Sequence, residues 1–254
     1  MQTLPLQQGV IYGPIKSRRL GVSLGINLMP VTYKLCSFNC VYCHYGFTDT
    51  HTADISKSAS DIPTPEEVER ALEDWLKKDK NINFITFSGN GEPTLHPDFD
   101  EITRRVRKIR DRYVPEVQVA LLSNSTGLVL PQVKRALSNL DKVFMKLDCG
   151  TSGMFQKINR PAEPVKYEDL VENLKTLDGI IIQSVFVGGR VTNTDKDEVG
   201  EWIDKIRDIT PEGVQIYSLD RPSASSDFEK VDRYVLSKIA EQARQVSGIE
   251  VEVF

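Results

Sequence analysis

Short apolar runs alternate with amphipathic stretches along most of the chain. The principal apolar runs cover residues 24–35, 84–88, 118–122, 143–147, 180–187 and 213–217. They are rich in β-branched residues and are bounded by Gly, Asn, Asp or Ser, a pattern typical of buried parallel strands. The last residues, 249–254, predict a terminal strand.

The stretches between these runs have helical periodicity. Residues 64–79 begin with Thr64, Pro65 and Glu67, which together form a capping box with a first-turn proline. Apolar residues then recur with a period of 3.6 and predict one buried helix face. Further helices are predicted at residues 98–112, 131–140, 167–177, 196–208 and 227–246.

This alternation of strands and helices predicts a parallel sheet with the helices outside it. Six principal strands are fewer than the eight of a closed barrel, so the pattern alone permits a partial barrel or a doubly wound sheet. In both folds the functional groups follow the carboxyl ends of the strands.

Composition excludes several classes of protein. The 254 residues are 40% hydrophobic and 27% charged, which is ordinary for a globular protein and excludes a fibrous or disordered one. A net charge of −4 gives no support to bulk binding of nucleic acid or a membrane surface. No apolar run approaches the roughly 18 residues of a membrane span, and the first ten residues lack the pattern of a signal peptide. We therefore expect a cytoplasmic protein with no membrane partner.

Three of the four cysteines lie close together in the sequence. Cys36, Cys40 and Cys43 can converge on one centre from a short loop, whereas Cys149 is distant. Clustered thiolates select zinc, Cu(I) or an iron–sulfur cluster. A structural zinc site needs four ligands, and only His44 or Cys149 is available as the fourth. Three cysteines without an evident fourth ligand favour a [4Fe–4S] cluster with one open iron.

The segment Cys36-x3-Cys40-x2-Cys43, with Tyr42 before the last cysteine, resembles the cluster motif of the radical SAM superfamily. The turn Ser88-Gly89-Asn90-Gly91-Glu92 is similar to the Gly-Gly-Glu element that binds the methionine amino group of S-adenosylmethionine in that family. It departs from the strict form because Asn90 stands where the first glycine usually lies. The ensemble of motifs resembles the branch grouped with wybutosine-biosynthesis-type iron–sulfur oxidoreductases, whose substrate is uncertain.

The resemblance implies an α/β fold, a partial (β/α)6 TIM-like barrel with a short N-terminal extension. It implies a single domain over residues 1–254, with the extension at 1–23, the barrel core at 24–223, and a C-terminal helix and strand at 224–254. The implied cofactors are a [4Fe–4S] cluster and S-adenosylmethionine. The implied activity is reductive cleavage of S-adenosylmethionine to a 5′-deoxyadenosyl radical that abstracts hydrogen from an unknown substrate.

The same resemblance implies roles for individual residues. The metal ligands would be Cys36, Cys40 and Cys43, and the predicted cofactor-binding residues are Tyr42, Asn90, Gly91, Glu92, Ser123, Asn124, Lys146 and Asp148. The backbone at Tyr42 would bind the adenine of S-adenosylmethionine. The polar groups at Ser123 and Asn124 suit ribose or carboxylate recognition. Lys146 and Asp148 either hold the cofactor or form an ion pair inside the barrel.

Three further features have to be interpreted. Cys149 is either a buried small hydrophobe or a catalytic residue at the mouth of the site. The basic run at residues 104–112 predicts the solvent-exposed face of an outer helix. The arginines near the strand ends, including Arg18, Arg19 and Arg221, are either surface residues or, if they converge, ligands for an anionic substrate.

The function hypotheses belong to different classes. The first is a radical enzyme acting on a small molecule, a nucleotide or a tRNA base, with electrons from a flavodoxin- or ferredoxin-like donor. The second is an activase that generates a glycyl radical on a partner enzyme. The third is a non-catalytic metal-binding module.

Overall fold

The computed structural model describes residues 3–221 and 223–254, and within them the chain forms twelve strands and seven α-helices. The strands are β1 (Ile11–Ser17), β2 (Gly21–Ile26), β3 (Leu35–Cys36), β4 (Thr50–His51), β5 (Phe84–Phe87), β6 (Gln118–Ser123), β7 (Lys142–Lys146), β8 (Ile180–Val185), β9 (Val187–Gly189), β10 (Gly213–Tyr217), β11 (Phe228–Lys230) and β12 (Val251–Val253). The helices are α1 (Pro65–Leu76), α2 (Phe99–Tyr113), α3 (Pro131–Ala136), α4 (Ser152–Ile158), α5 (Tyr167–Leu174), α6 (Lys196–Ile209) and α7 (Arg233–Ser247).

Eight strands form the main sheet, in the order β1-β2-β5-β6-β7-β8-β10-β12. Every neighbouring pair from β2 to β12 is parallel, and only β1 runs antiparallel to its neighbour. The register sets Phe87 opposite Leu121 and Tyr217 opposite Val185, so the carboxyl ends of these strands lie side by side. This parallel order with outer helices confirms the predicted α/β class.

The two faces of the sheet have different contents. Its outer face packs against the apolar sides of the helices, where Val68, Leu72 and Val106 are completely buried. On the other face lies a separate small cluster of Leu20, Ala120 and Phe144. A cavity on this side reaches residues that follow the carboxyl ends of β5 and β10, where both possible folds were expected to carry function.

Helix α1 begins as its sequence predicts. The Thr64 hydroxyl accepts from the Glu67 amide at 3.3 Å, and the Glu67 carboxylate accepts from the Thr64 amide at 2.8 Å. This reciprocal pair satisfies two backbone donors that have no partner inside the helix.

We expect Thr64→Ala to lower the free energy of unfolding by about 1 kcal/mol, because a capping hydroxyl is lost from an exposed helix start. Urea denaturation monitored by circular dichroism measures this change. The exposed Ser226→Ala is the control, since no capping bond depends on it. Equal stability of the two variants would contradict the importance of the cap.

Several predicted boundaries are wrong. The first strand was expected over residues 24–35, but β2 ends at Ile26. The Asn27 side chain donates to the Met29 carbonyl at 2.8 Å and accepts from the Met29 amide, and Pro30 follows without an N–H. A local turn thus replaces the sheet ladder.

The last helix also begins later than expected. It starts at Arg233, with Asp232 as its N-cap, because the preceding residues form β11 and pair with β9. The predicted helix at 131–140 ends at Ala136 and continues as a short 3-10 turn. Strand β1 and helix α4 were not predicted at all.

The basic run lies on α2, and part of it is paired within the chain. Arg105 contacts Glu66, Glu69 and Glu101 at 2.5–2.6 Å, and Arg110 contacts Asp141 at 2.6 Å. The apolar side of the helix faces the sheet, as predicted. These ion pairs use two of the basic side chains, and others on the same helix stay exposed. Among residues 3–221 and 223–254, no helix is both long and apolar enough to span a membrane.

Candidate active site

The loop that carries Cys36, Cys40 and Cys43 is fixed by the segment after α4. The Asn39 amide donates to the Asn159 carbonyl and the Val41 amide to the Ile158 carbonyl, both at 3.0 Å. On the other side, Leu35 forms a bridge with Gly91. The backbone therefore holds this loop at the carboxyl edge of the sheet.

Side-chain amides approach two of the sulfurs. The Asn124 amide lies 3.6 Å from the Cys36 sulfur, and the Asn159 amide lies 3.6 Å from the Cys40 sulfur. Both cysteines are 9% exposed, so these contacts are sheltered from water. Amide donors of this kind stabilise a thiolate and tune any metal that it holds.

Electrostatics couples the three cysteines to Lys34. Burial is the largest effect on Cys40 and raises its pKa to about 11, and it also raises the pKa of Cys36. Burial would lower the pKa of Lys34, but thiolate charge at Cys43 and Cys36 outweighs it and raises that pKa. Lys34 therefore supplies positive charge beside the three cysteine sulfurs, where it would stabilise thiolates. Its ammonium is held by the Gly46 carbonyl at 2.7 Å.

The Glu92 carboxylate is completely engaged by the protein. It accepts from the Ser123 hydroxyl at 2.7 Å, the backbone N–H of Asn124 at 2.6 Å, and the Thr94 hydroxyl at 2.6 Å. Burial raises the pKa of Glu92, and these donors oppose that effect. Glu92 thus ties the end of β5 to the end of β6.

Asn90 is also used internally. Its side chain donates to the Gln7 and Pro30 carbonyls at 2.9 Å and accepts from the Gln7 amide at 2.8 Å. The side chain therefore fixes the turn, and Gly89 and Gly91 on either side of it line the larger cavity.

Gly91 has no room for a side chain. A Cβ there would lie 1.7 Å from the Leu35 carbonyl oxygen. This close approach links the glycine turn directly to the strand that ends at Cys36.

Tyr42, Asp148 and Asn159 form one buried network. Tyr42 donates to the Asp148 carboxylate, and the Asn159 amide donates to the same oxygen at 2.6 Å. The second Asp148 oxygen accepts from the Val185 amide at 2.7 Å. Burial and the Asp148 charge raise the pKa of Tyr42, so its phenol remains a donor.

Lys146 extends this network into the cavity. Its ammonium lies 3.6 Å from Asp148 and donates to the Tyr217 hydroxyl at 3.2 Å. Arg19 lies over the aromatic ring of Tyr217, with its guanidinium carbon 4.1 Å from the ring centre. Burial would raise the pKa of Tyr217, but the two cations outweigh it and lower that pKa.

Cys149 lies outside the cavities that adjoin the other predicted residues. It is 1% exposed, and its thiol lies 3.6 Å from the Asn159 side-chain oxygen. Burial is the largest effect that raises its pKa well above the usual value. This environment favours the packing interpretation, and a catalytic role for Cys149 stays a prediction.

Two cavities adjoin these groups. The smaller, of about 250 Å³, is lined by Tyr42, Cys43 and Lys146. The larger, of about 520 Å³, reaches Gly91 and the β1–β2 hairpin. Arg19, His44, Tyr45, Gly89, Tyr217 and Ser218 line both. The two cavities are therefore neighbouring parts of one opening.

Several residues of the site were not selected from the sequence. Asn159 contacts Cys40, Tyr42 and Asp148, yet it lies in a loop with no motif of its own. Tyr12 enters the cavity from β1, where its hydroxyl lies 2.5 Å from that of Ser88. The strand-end rule points to Tyr217, but nothing in the local sequence marks Tyr12.

A parallel sheet with outer helices and a three-cysteine loop at its carboxyl edge defines the general class of the protein. Residues 31–203 match the family model described as the radical SAM superfamily. A UPF0026 protein from Synechocystis sp. is 32% identical over 219 residues, which are 84% of this chain and 76% of that protein. The chain therefore belongs to the radical SAM superfamily and to the family of proteins named UPF0026.

Two more proteins define the extent of the similarity. GTPase Obg from Brachyspira hyodysenteriae is 28% identical over 247 residues, which are 96% of this chain and 35% of that protein. The chain thus spans about a third of that relative. The structure of TYW1 with a lysine-pyruvate adduct has a TM-score of 0.61 at 14% identity, covering 89% of this chain and 74% of that one. This likeness concerns the fold.

Family membership settles the cofactors. They are a [4Fe–4S] cluster and S-adenosylmethionine, which is bound in solved structures of this fold. The donor set fits them, since three cysteine sulfurs surrounded by amide donors and Lys34 suit an iron–sulfur cluster. Membership also implies cleavage of S-adenosylmethionine by radical chemistry.

Proposed function

We propose that Cys36, Cys40 and Cys43 hold a [4Fe–4S] cluster whose fourth iron binds S-adenosylmethionine, and that the chain is a radical enzyme. The anchored loop that holds the three cysteines carries this proposal, because side-chain amides lie 3.6 Å from the Cys36 and Cys40 sulfurs there. The charge of Lys34 also acts on all three. In such a cluster each cysteine binds a different iron, so the sulfurs surround a larger object than one ion.

When bound, the reduced cluster and S-adenosylmethionine supply a 5′-deoxyadenosyl radical, which abstracts a hydrogen atom from the substrate. The residues of the protein would bind the cluster and S-adenosylmethionine and orient them. The Asn124 and Asn159 amides would support thiolates at Cys36 and Cys40. Asp148 keeps Tyr42 in position beside the third cysteine, while Lys146 adds positive charge to the smaller cavity.

The cofactor-binding residues divide into contacting and positioning groups in this proposal. The exposed backbone around Gly89 and Gly91 would accept from the methionine ammonium, and Lys146 would attract its carboxylate. The side chains of Asn90, Glu92, Ser123 and Asn124 would act by positioning, because protein partners already engage them. A contact of the Tyr42 backbone with adenine remains part of the proposal.

We extend the proposal to the organisation of the chain. Residues 1–254 would form one radical SAM domain with a core at 24–223, an N-terminal extension at 1–23 and a C-terminal segment at 224–254. Strand β1 of the extension pairs with β2, and β12 of the C-terminal segment pairs with β10, which supports one domain. Residues 1, 2 and 222 lie outside the described residues.

Electrons would come from a flavodoxin- or ferredoxin-like donor. The activase and tRNA-base alternatives stay predictions, because no described contact favours either one. The ion pairs of Arg105 and Arg110 reduce the positive charge that α2 could offer to a tRNA.

The proposal is tested by the electron paramagnetic resonance spectrum of the anaerobically reconstituted, dithionite-reduced protein. We expect addition of S-adenosylmethionine to change the cluster signal, because the ligand would bind the open iron directly. 5′-Methylthioadenosine, which lacks the amino and carboxylate groups, serves as the control for a nucleoside that merely occupies the cavity. A reduced cluster whose signal is unchanged by saturating S-adenosylmethionine would contradict the proposal.

A further inference from the structure

The larger cavity is positively charged although the chain as a whole is acidic. Its charged lining among the described residues consists of one carboxylate, Asp220, and four cations, Lys16, Arg18, Arg19 and Arg221. The chain as a whole has a net charge of −4. A cleft lined by one sign of charge concentrates ligands of the opposite sign.

The single carboxylate is already engaged. Asp220 pairs with Arg18, and it also accepts from the Lys230 ammonium at 2.6 Å. The two cations lower the pKa of Asp220, with the hydrogen bond from Lys230 as the largest cause. The charge of Asp220 is therefore compensated by Arg18 and Lys230, and it does not neutralise the other cations of the cavity.

Arg19 lacks a carboxylate partner among the described residues. Its guanidinium is stacked on Tyr217, and one terminal nitrogen, Nη1, is buried without a hydrogen-bond partner in the described part of the chain. A buried donor without a partner costs free energy, and more so when the group is charged. Arginine is also the side chain best shaped to grip a carboxylate or phosphate with two parallel bonds.

The position of Arg19 separates it from the proposed cofactor contacts. Lys146 lines the smaller cavity beside Cys43 and is absent from the lining of the larger one. Arg19 lines both cavities, and the larger one continues from it toward Lys16 and Arg221. A group held by Arg19 would thus lie beside the cofactor, on the side that opens away from the cysteines.

We propose that the substrate carries an anionic group, a phosphate or a carboxylate, which Arg19 binds between Tyr217 and the basic rim of the larger cavity. Arg19 would thereby set the distance of the substrate from the cofactor. This inference rests on the proposed function, since the larger cavity holds substrate only if the cofactor lies beside it.

The test is isothermal titration calorimetry on the anaerobically reconstituted protein saturated with S-adenosylmethionine, without reductant. The probes are inorganic phosphate, pyrophosphate and succinate. We expect at least one to bind, and we expect Arg19→Gln to weaken its binding about tenfold or more. Arg19→Lys should recover part of the affinity, because lysine keeps the positive charge but cannot form two parallel hydrogen bonds. The exposed Arg104→Gln is the matched control and should bind as the parent does.

The result also assigns the chemistry. Preference for the phosphates or for succinate identifies the anionic group. The inference is overturned if no probe binds, if Arg19→Gln binds as well as the parent, or if binding occurs only when S-adenosylmethionine is omitted. The last result would assign Arg19 to the cofactor carboxylate.

Failure of the two proposals is distinguishable. Anion binding that depends on Arg19, in a protein that never cleaves S-adenosylmethionine, would contradict the radical function and leave the anion site intact. Cleavage without any anion binding would contradict the anion site alone.

Discussion

Cys40→Ala is expected to remove the iron–sulfur cluster and to abolish cleavage of S-adenosylmethionine. Iron after anaerobic reconstitution should fall from about four atoms per chain to background, because two cysteines do not hold the cluster. The backbone of this loop is anchored by Asn39 and Val41, so we expect the fold to survive. Iron and sulfide analysis measures the first effect, and circular dichroism checks the second.

Cys149→Ala is the matched control for this experiment. Cys149 is also a buried thiol, yet it lies outside the cysteine loop, so its removal should leave the cluster in place. Loss of iron in Cys149→Ala would make this residue a ligand and would favour a site with four thiolates. Retention of iron in Cys40→Ala would refute the ligand assignment.

Gly91→Ala is expected to cause the second large effect. The added Cβ would lie 1.7 Å from the Leu35 carbonyl, which belongs to the backbone and has no rotamer by which to move away. The bridge between Leu35 and Gly91 must then open, and the neighbouring Cys36 must shift. We expect the free energy of unfolding to fall by about 3 kcal/mol, at the upper end of overpacking costs, with loss of iron after reconstitution.

Gly153→Ala provides the comparison for this substitution. No atom lies within 4 Å of its added Cβ, and the residue is in helix α4. Alanine there should be neutral or should stabilise the protein by up to about 1 kcal/mol. Urea denaturation of both variants measures the difference. If Gly91→Ala proves as stable as Gly153→Ala, the close approach to Leu35 has no structural importance.

Much of the main sheet could be predicted because its strands are local apolar runs. Strand β5 and the first turn of α1 follow directly from periodicity and from the capping pair at Thr64. Strand β1 was missed because it is largely exposed and its sequence contains Gly13 and Pro14. Its stability comes from pairing with β2, a contact that no local pattern reveals.

In the site, too, local sequence predicts some features, whereas contacts between distant parts of the chain determine others. The cysteine spacing identifies three candidate ligands, and the strand-end rule correctly brings Lys146 and Asp148 together. That rule does not reveal what each side chain contacts. Glu92 looks like a ligand for an ammonium group, but it is engaged by Ser123 and Asn124 from the neighbouring strand end. Asn159 reaches the cysteine loop only because the chain returns to it after α4.

The central claim is that this chain cleaves S-adenosylmethionine with a cluster held by Cys36, Cys40 and Cys43. The most direct measurement is 5′-deoxyadenosine by mass spectrometry, after anaerobic incubation of the reconstituted protein with dithionite and S-adenosylmethionine. Cys40→Ala, treated identically, is the blank. We predict 5′-deoxyadenosine from the parent protein and none above background from the variant. Equal amounts from both would contradict the account.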